Sequence, residues 1–145
     1  MFQDLLRRLT APEPEQLPDV DSRLALGALL VRIARTDGDY ADVEIAQIDK
    51  ALIARYGLSP FEAAALRAEC EALEAEAPDT VRFTRAIKDT VSYDNRVGVI
   101  EALWSVVMAD GVRDDEEDSM MRMTASLLGV SDQDSHRARL RVSAG

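Results

Sequence analysis

The feature that most constrains this chain is a phrase that it spells twice. "RTDGDYADVE", Arg35 to Glu44, and "MADGVRDDEE", Met108 to Glu117, share the pattern D-G-x5-E at a spacing of 73 residues. Asp37-Gly38 falls on Asp110-Gly111, Asp42 on Asp115 and Glu44 on Glu117. The match extends upstream, where Asp21-x-Arg23 falls on Asp94-x-Arg96, Leu30 on Leu103 and Ile33 on Val106. Downstream, Ile48 falls on Met121, and after the loss of one residue Gly57-Leu58-Ser59 matches Gly129-Val130-Ser131. Such a chain reads as two copies of a helix hairpin turned at "DG", over about 21–62 and 94–134. Neither hairpin can bury its apolar face alone, so the two are expected to share one core about a pseudo-twofold axis.

A calcium loop of the EF-hand type is excluded by spacing. That loop needs oxygen ligands at positions 1, 3, 5, 7 and 9, glycine at 6 and a carboxylate at 12. Counted from Asp37, position 6 is Asp42 and position 12 is Ile48; counted from Asp110, they are Asp115 and Met121.

Periodicity assigns the elements between the turns. Phe2, Leu5, Leu6 and Leu9 predict a short amphipathic helix over 1–10, and the three prolines of "APEPEQLPD" make 11–20 a linker. Leu26, Leu29, Leu30 and Ile33 predict a helix over about 21–36, and Ile45, Ile48, Leu52 and Tyr56 one over about 41–56. Gly57 stops the latter. In "SPFE", Ser59 caps the next helix, Pro60 takes its first position and Glu62 completes a capping box. This helix carries Leu66, Cys70 and Leu73 inward and ends near Pro78. Asp79 caps another, with Val81, Thr84, Ile87 and Val91 inward. Ser92 or Asp94 opens the helix of Ile100, Leu103, Trp104 and Val107, and a further one spans about 114–128 up to Gly129. Ser131 caps a last helix reaching about Val142. No strand pattern is found. The expectation is an all-α single domain, 1–145, of about seven to eight helices.

Composition narrows the function. The net charge is −10, which repels nucleic-acid phosphates and anionic lipid, so no nucleic acid is expected as a partner; Arg137, Arg139 and Arg141 in the tail are a local exception. One cysteine, Cys70, and one histidine, His136, exclude an intramolecular disulfide and Cys- or His-rich metal sites. Cys70 is expected to be a small buried hydrophobe. No apolar run is long enough to cross a bilayer, so no membrane insertion is expected, and "MFQDLLRRLT" does not read as a secretory signal. A cytoplasmic protein is expected.

The acids divide into two groups. Asp39, Asp42 and Asp114 to Asp118 sit near helix N-termini, where the helix dipole accounts for them without any ligand. Glu44 and Glu117 lie beside the apolar stripes of Ile48 and Met121, and a carboxylate there needs a partner. Hydrogen-bond donors, Arg23 or Arg96, and a cation all satisfy that need.

The stretches "ARTDGDYADVE" and "VVMADGVRDDEE", and most of all "EALWSVVMADGVRDDEEDSMMRMTASLLGVSD", resemble the TerB-like family of tellurite-resistance proteins. The likeness covers about 24–134 and points to a short stand-alone member. It implies an all-α domain with internal pseudo-symmetry, a link to tellurite resistance and stress response, and protein partners that are often membrane-associated. It also implies a metal- or partner-binding site at the paired motifs, carried over here to Asp37, Glu44, Asp110 and Glu117. Their oxygen-only chemistry favours Ca²⁺, Mg²⁺ or Mn²⁺.

Two readings of function follow. One is a binding module that holds a divalent cation between its two "DG" turns. The other is a metal-free interaction module whose acidic face docks a basic partner segment. No nucleophile–base pair and no glycine-rich phosphate loop is present, so an enzyme is not expected, and a metal-assisted hydrolase is the weakest alternative.

Overall fold

The computed structural model describes residues 19–36, 40–76, 80–109 and 115–144. The expected helix over 1–10 and the linker lie outside these residues. Among them, all regular structure is helical: α1 (Asp19–Ala34), α2 (Asp42–Tyr56), α3 (Pro60–Glu76), α4 (Thr80–Thr90), α5 (Tyr93–Val107), α6 (Asp115–Leu127) and α7 (Asp132–Ala144).

The stop and start signals act as their chemistry requires. Gly57 ends α2 at φ 65°, and Gly129 follows α6 at φ 72°, a region that residues with a Cβ avoid. At the head of α3, the Glu62 amide donates to Ser59 Oγ (3.1 Å), and the Ser59 amide donates to Glu62 Oε1 (3.0 Å). That is a complete capping box. Ser131 caps α7 by accepting from the Asp134 amide at 3.1 Å.

Helix α1 is the centre of the molecule. Every residue from Leu24 to Val31 is buried, as are Ile33 and Ala34. A helix that is apolar on all sides must be enclosed, and α1 packs against α2, α3, α4, α5 and α6. Its largest side chains, Leu29, Leu30 and Ile33, are fully buried, each contributing about 1.5–3 kcal/mol of apolar transfer. Ile48, Trp104 and Met121 join the same core, as expected. Helix α3 approaches α1 closely at Gly27, where a Cβ would stand 2.2 Å from Cys70 Sγ. Cys70 is fully buried, the small hydrophobe that the sequence suggested. The pair is tied at its far end by Glu74, which accepts from Arg32 Nε (3.1 Å) and Arg35 Nη1 (2.7 Å).

The most extensive helix interfaces are α1 with α3 and α5 with α7; α2 contacts α5, and α6 contacts α1. Leu30 and Leu103, Ile33 and Val106, and Ile48 and Met121 are buried at matching positions of the repeat.

One expectation is corrected. Val81 is not inward but 38% exposed, and Phe83 is fully buried in its place. The inner face of α4 is Thr80, Phe83, Thr84 and Ile87. Thr84 fits there because its Oγ1 donates back to the carbonyls of Thr80 (3.3 Å) and Val81 (3.0 Å), so the helix itself satisfies the hydroxyl. The arginine-rich tail is helical, as expected. It forms α7 and lies on α5, with Arg141 Nε donating to Glu101 (2.7 Å) and Arg139 stacked over Trp104.

Candidate functional site

Of the four carboxylates singled out in the sequence, Glu44 is the one whose side chain the structure describes. Asp37 and Asp110 lie outside the described residues. Glu117 lies in the first turn of α6, and its side chain is likewise outside them. The described residues therefore bring no two of the four together. Among those residues, no three His, Cys, Asp or Glu side chains group closely enough to hold a metal ion.

Glu44 is the third residue of α2, after Asp42 and Val43, and Glu117 is the third of α6, after Asp115 and Glu116. The two motifs therefore enter their helices in the same register. Ala41 precedes α2 in an extended conformation, and its amide donates to Glu44 Oε1 at 3.2 Å. This is half of a capping box, because alanine has no hydroxyl to return the bond.

Capping alone does not explain where Glu44 sits. Glu62 occupies the third position of α3 and takes the same bond from Ser59, yet it lies in solvent, where the bond holds its carboxyl below the usual range. Glu44 is 1% exposed. A cap works in water, whereas a buried carboxylate needs its charge compensated, and Glu44 makes a further contact besides the Ala41 amide.

The arginines named as possible partners stand elsewhere. Arg23 lies over the Tyr56 ring at 4.9 Å, and Tyr56 is twelve residues, or about 18 Å, along α2 from Glu44. Arg96 lies over Tyr93 and donates to the carbonyls of Lys88 and Val91, both at 3.0 Å, closing the end of α4. Its neighbour Asn95 accepts from Arg55, again at the far end of α2. Both arginines thus gather at the Arg55–Tyr56 end of α2, a helix length from Glu44.

Beside the first turn the structure shows a network that the sequence reading missed. Tyr40 donates to Glu71 Oε2 (2.7 Å), which also accepts from Arg67 Nη1 (3.2 Å), while Arg67 Nε donates to Asp49 Oδ1 at 2.6 Å. Arg35 lies over the Tyr40 ring at 4.9 Å. Burial, then the bond to Glu71, pushes the Tyr40 hydroxyl well above its ordinary range. The network ties α2 to α3 and anchors the residue at which the chain leaves the first "DG" turn. Only the Arg67–Glu71 spacing of four residues was readable in advance.

Among known families, the model for tellurite resistance protein TerB matches residues 23–140. No curated protein and no solved structure matches the chain. No described helix is long and apolar enough to cross a membrane. The match takes in both D-G-x5-E motifs and every described helix at least in part, and the chain belongs to the TerB family.

Proposed function

We propose that this TerB-family protein is a cytoplasmic binding module that holds a divalent cation between its two "DG" turns. Asp37 and Glu44 supply oxygens from one turn, and Asp110 and Glu117 supply them from the other. The observation that carries this reading is the burial of Glu44, a carboxylate in the same helical register as Glu117. The set contains only hard oxygen donors, which fits Ca²⁺, Mg²⁺ or Mn²⁺ and not a thiolate-seeking metal. When bound, the cation would join the two halves. The packing of α1 on α3 and of α5 on α7 supports a pseudo-twofold relation, which would carry the two turns to one face.

The protein's melting temperature in Mg²⁺, Ca²⁺ and Mn²⁺, at ionic strength matched with monovalent salt, tests the proposal. A ligand present at 100 times its Kd adds about 2.7 kcal/mol. The double variant Glu44→Gln/Glu117→Gln should lose the rise. Glutamine serves at the third helix position as glutamate does, so the variant removes charge and keeps the cap. No rise with any of the three ions would refute the proposal, and so would an undiminished rise in the double variant.

The acidic turn also favours a second reading, docking of a basic partner segment. Val43, beside the buried Glu44, is 49% exposed and offers an apolar contact within an acidic first turn. In that case a cation leaves stability unchanged, and a lysine-rich peptide binds instead.

A further inference from the structure

A second candidate site lies among α5, α6 and α7. A cleft of about 500 Å³ opens there, with Trp104 and Ser135 at its base. Trp104 is 8% exposed and Ser135 6%, and the indole N–H donates to Ser135 Oγ at 3.3 Å. Three basic side chains line the cleft: Arg122 from α6, and His136 and Arg139 from α7. Arg139 lies over the Trp104 ring at 5.7 Å, with its Nη2 3.3 Å from His136 Nδ1. Arg122 is exposed and forms no ion pair or hydrogen bond among the described residues.

The repeat shows why this cleft is unusual. Arg67 of α3 aligns with Arg139, and Asp49 of α2 aligns with Arg122. In the first half the arginine is closed off by that aspartate at 2.6 Å and by Glu71 at 3.2 Å. In the second half arginine replaces the aspartate, and Ser143 stands at the position of Glu71. The arginine is retained and both of its carboxylates are gone. Two guanidinium groups facing one cleft repel each other; Asp118 and Asp132 at the lining offset their charge, but neither stands at the position of Asp49 or Glu71 in the repeat.

We propose that this cleft binds a small anion carrying a carboxylate or phosphate group, held between Arg122 and Arg139 against the Trp104 edge. The planar guanidinium fork matches either group with two parallel hydrogen bonds. The anion thus takes the place that Asp49 fills in the first half. Asp118 and Asp132 also line the cleft and offset the two arginines. The site therefore recognises its ligand through directed contacts instead of a broad positive field, which suits a small molecule and not a polyanion.

Trp104 is the chain's one tryptophan, so its emission reports on this cleft directly. The full chain is titrated with inorganic phosphate and, separately, with succinate, at ionic strength held constant with sodium chloride. A saturable change in Trp104 emission, or in its indole N–H resonance, is expected with at least one of them, and the arm that saturates identifies the group recognised. Arg122→Gln should weaken binding tenfold or more. Arg122→Asp should abolish it by supplying Arg139 with the carboxylate found in the first half. Arg137→Gln, on the same helix but facing Asp134 at 3.4 Å, should bind as the parent does. Arg122 is exposed, so its variants keep the fold. No saturable change in either signal with either anion overturns the proposal, and so does unchanged affinity in Arg122→Gln.

Discussion

Gly27→Ala tests the packing of α1 on α3, and two effects of opposite sign compete in it. By helix propensity alone, alanine inside a helix is worth about 1 kcal/mol over glycine. The structure opposes this gain. The new Cβ would stand 2.2 Å from Cys70 Sγ, 3.1 Å from Cys70 Cβ and 4.0 Å from Leu52 Cδ2, all fully buried. Overpacking a closed core typically costs 1–3 kcal/mol, and so short a contact with sulfur belongs at the upper end. A net loss of about 2 kcal/mol is expected, lowering Tm by roughly 4–8 °C for a chain of this size. Cys70→Ala alone should cost about 1 kcal/mol by deleting one buried heavy atom. The double variant should lose less than the sum, with a coupling of at least about 1 kcal/mol, because the clash needs the sulfur. Urea unfolding of the four proteins completes the cycle. The reasoning fails if Gly27→Ala is neutral or stabilising, or if the two changes add within about 0.5 kcal/mol.

Two further outcomes are expected. Burial pushes the Cys70 thiol from 9.0 up to about 12 and raises the Tyr40 and Tyr56 hydroxyls as well. Above pH 9 the unfolded chain sheds these protons before the folded one does, so stability is full below that pH and falls as pH rises toward 12. Urea midpoints at pH 8, 9 and 10 should fall less steeply for Cys70→Ala than for the parent; parallel slopes would show that the thiol contributes nothing. Thr124 is fully buried, and its hydroxyl has no hydrogen-bond partner among the described residues, so Thr124→Val should raise stability by about 1 kcal/mol in the same assay.

What the sequence revealed follows from the range of the interactions involved. Helix ends are set by neighbours in the chain, so Gly57, Gly129, Ser59 with Glu62, and Ser131 could all be read in advance. The inner face of α4 was read correctly at Thr84 and Ile87, but a search led by apolar residues took Val81 for the first inward position and passed over Thr80 and Phe83. The Asp49–Arg67 pair and the Glu74 clasp join residues 18 and 42 positions apart, and no local spacing predicts them. At the candidate site, the sequence placed Glu44 beside an apolar stripe, and the structure buries it. Of the three partners that it left open for Glu44, an arginine at Arg23 or Arg96 is not the one found, whereas a hydrogen-bond donor, the Ala41 amide, is. The two arginines gather at the far end of α2 from Glu44. The cleft around Trp104 was readable only in retrospect, by asking which residue replaces Asp49 in the second copy.

The central claim is that both "DG" turns hold one cation, and Mn²⁺ tests it directly because its unpaired electrons broaden nearby amide resonances. A substoichiometric Mn²⁺ titration of the ¹⁵N-labelled protein should broaden the amides of 37–44 and 110–117 together, at the same concentration. In Glu44→Gln/Glu117→Gln neither set should respond. Broadening at one turn alone, at neither, or at both but undiminished in the double variant would contradict a shared site.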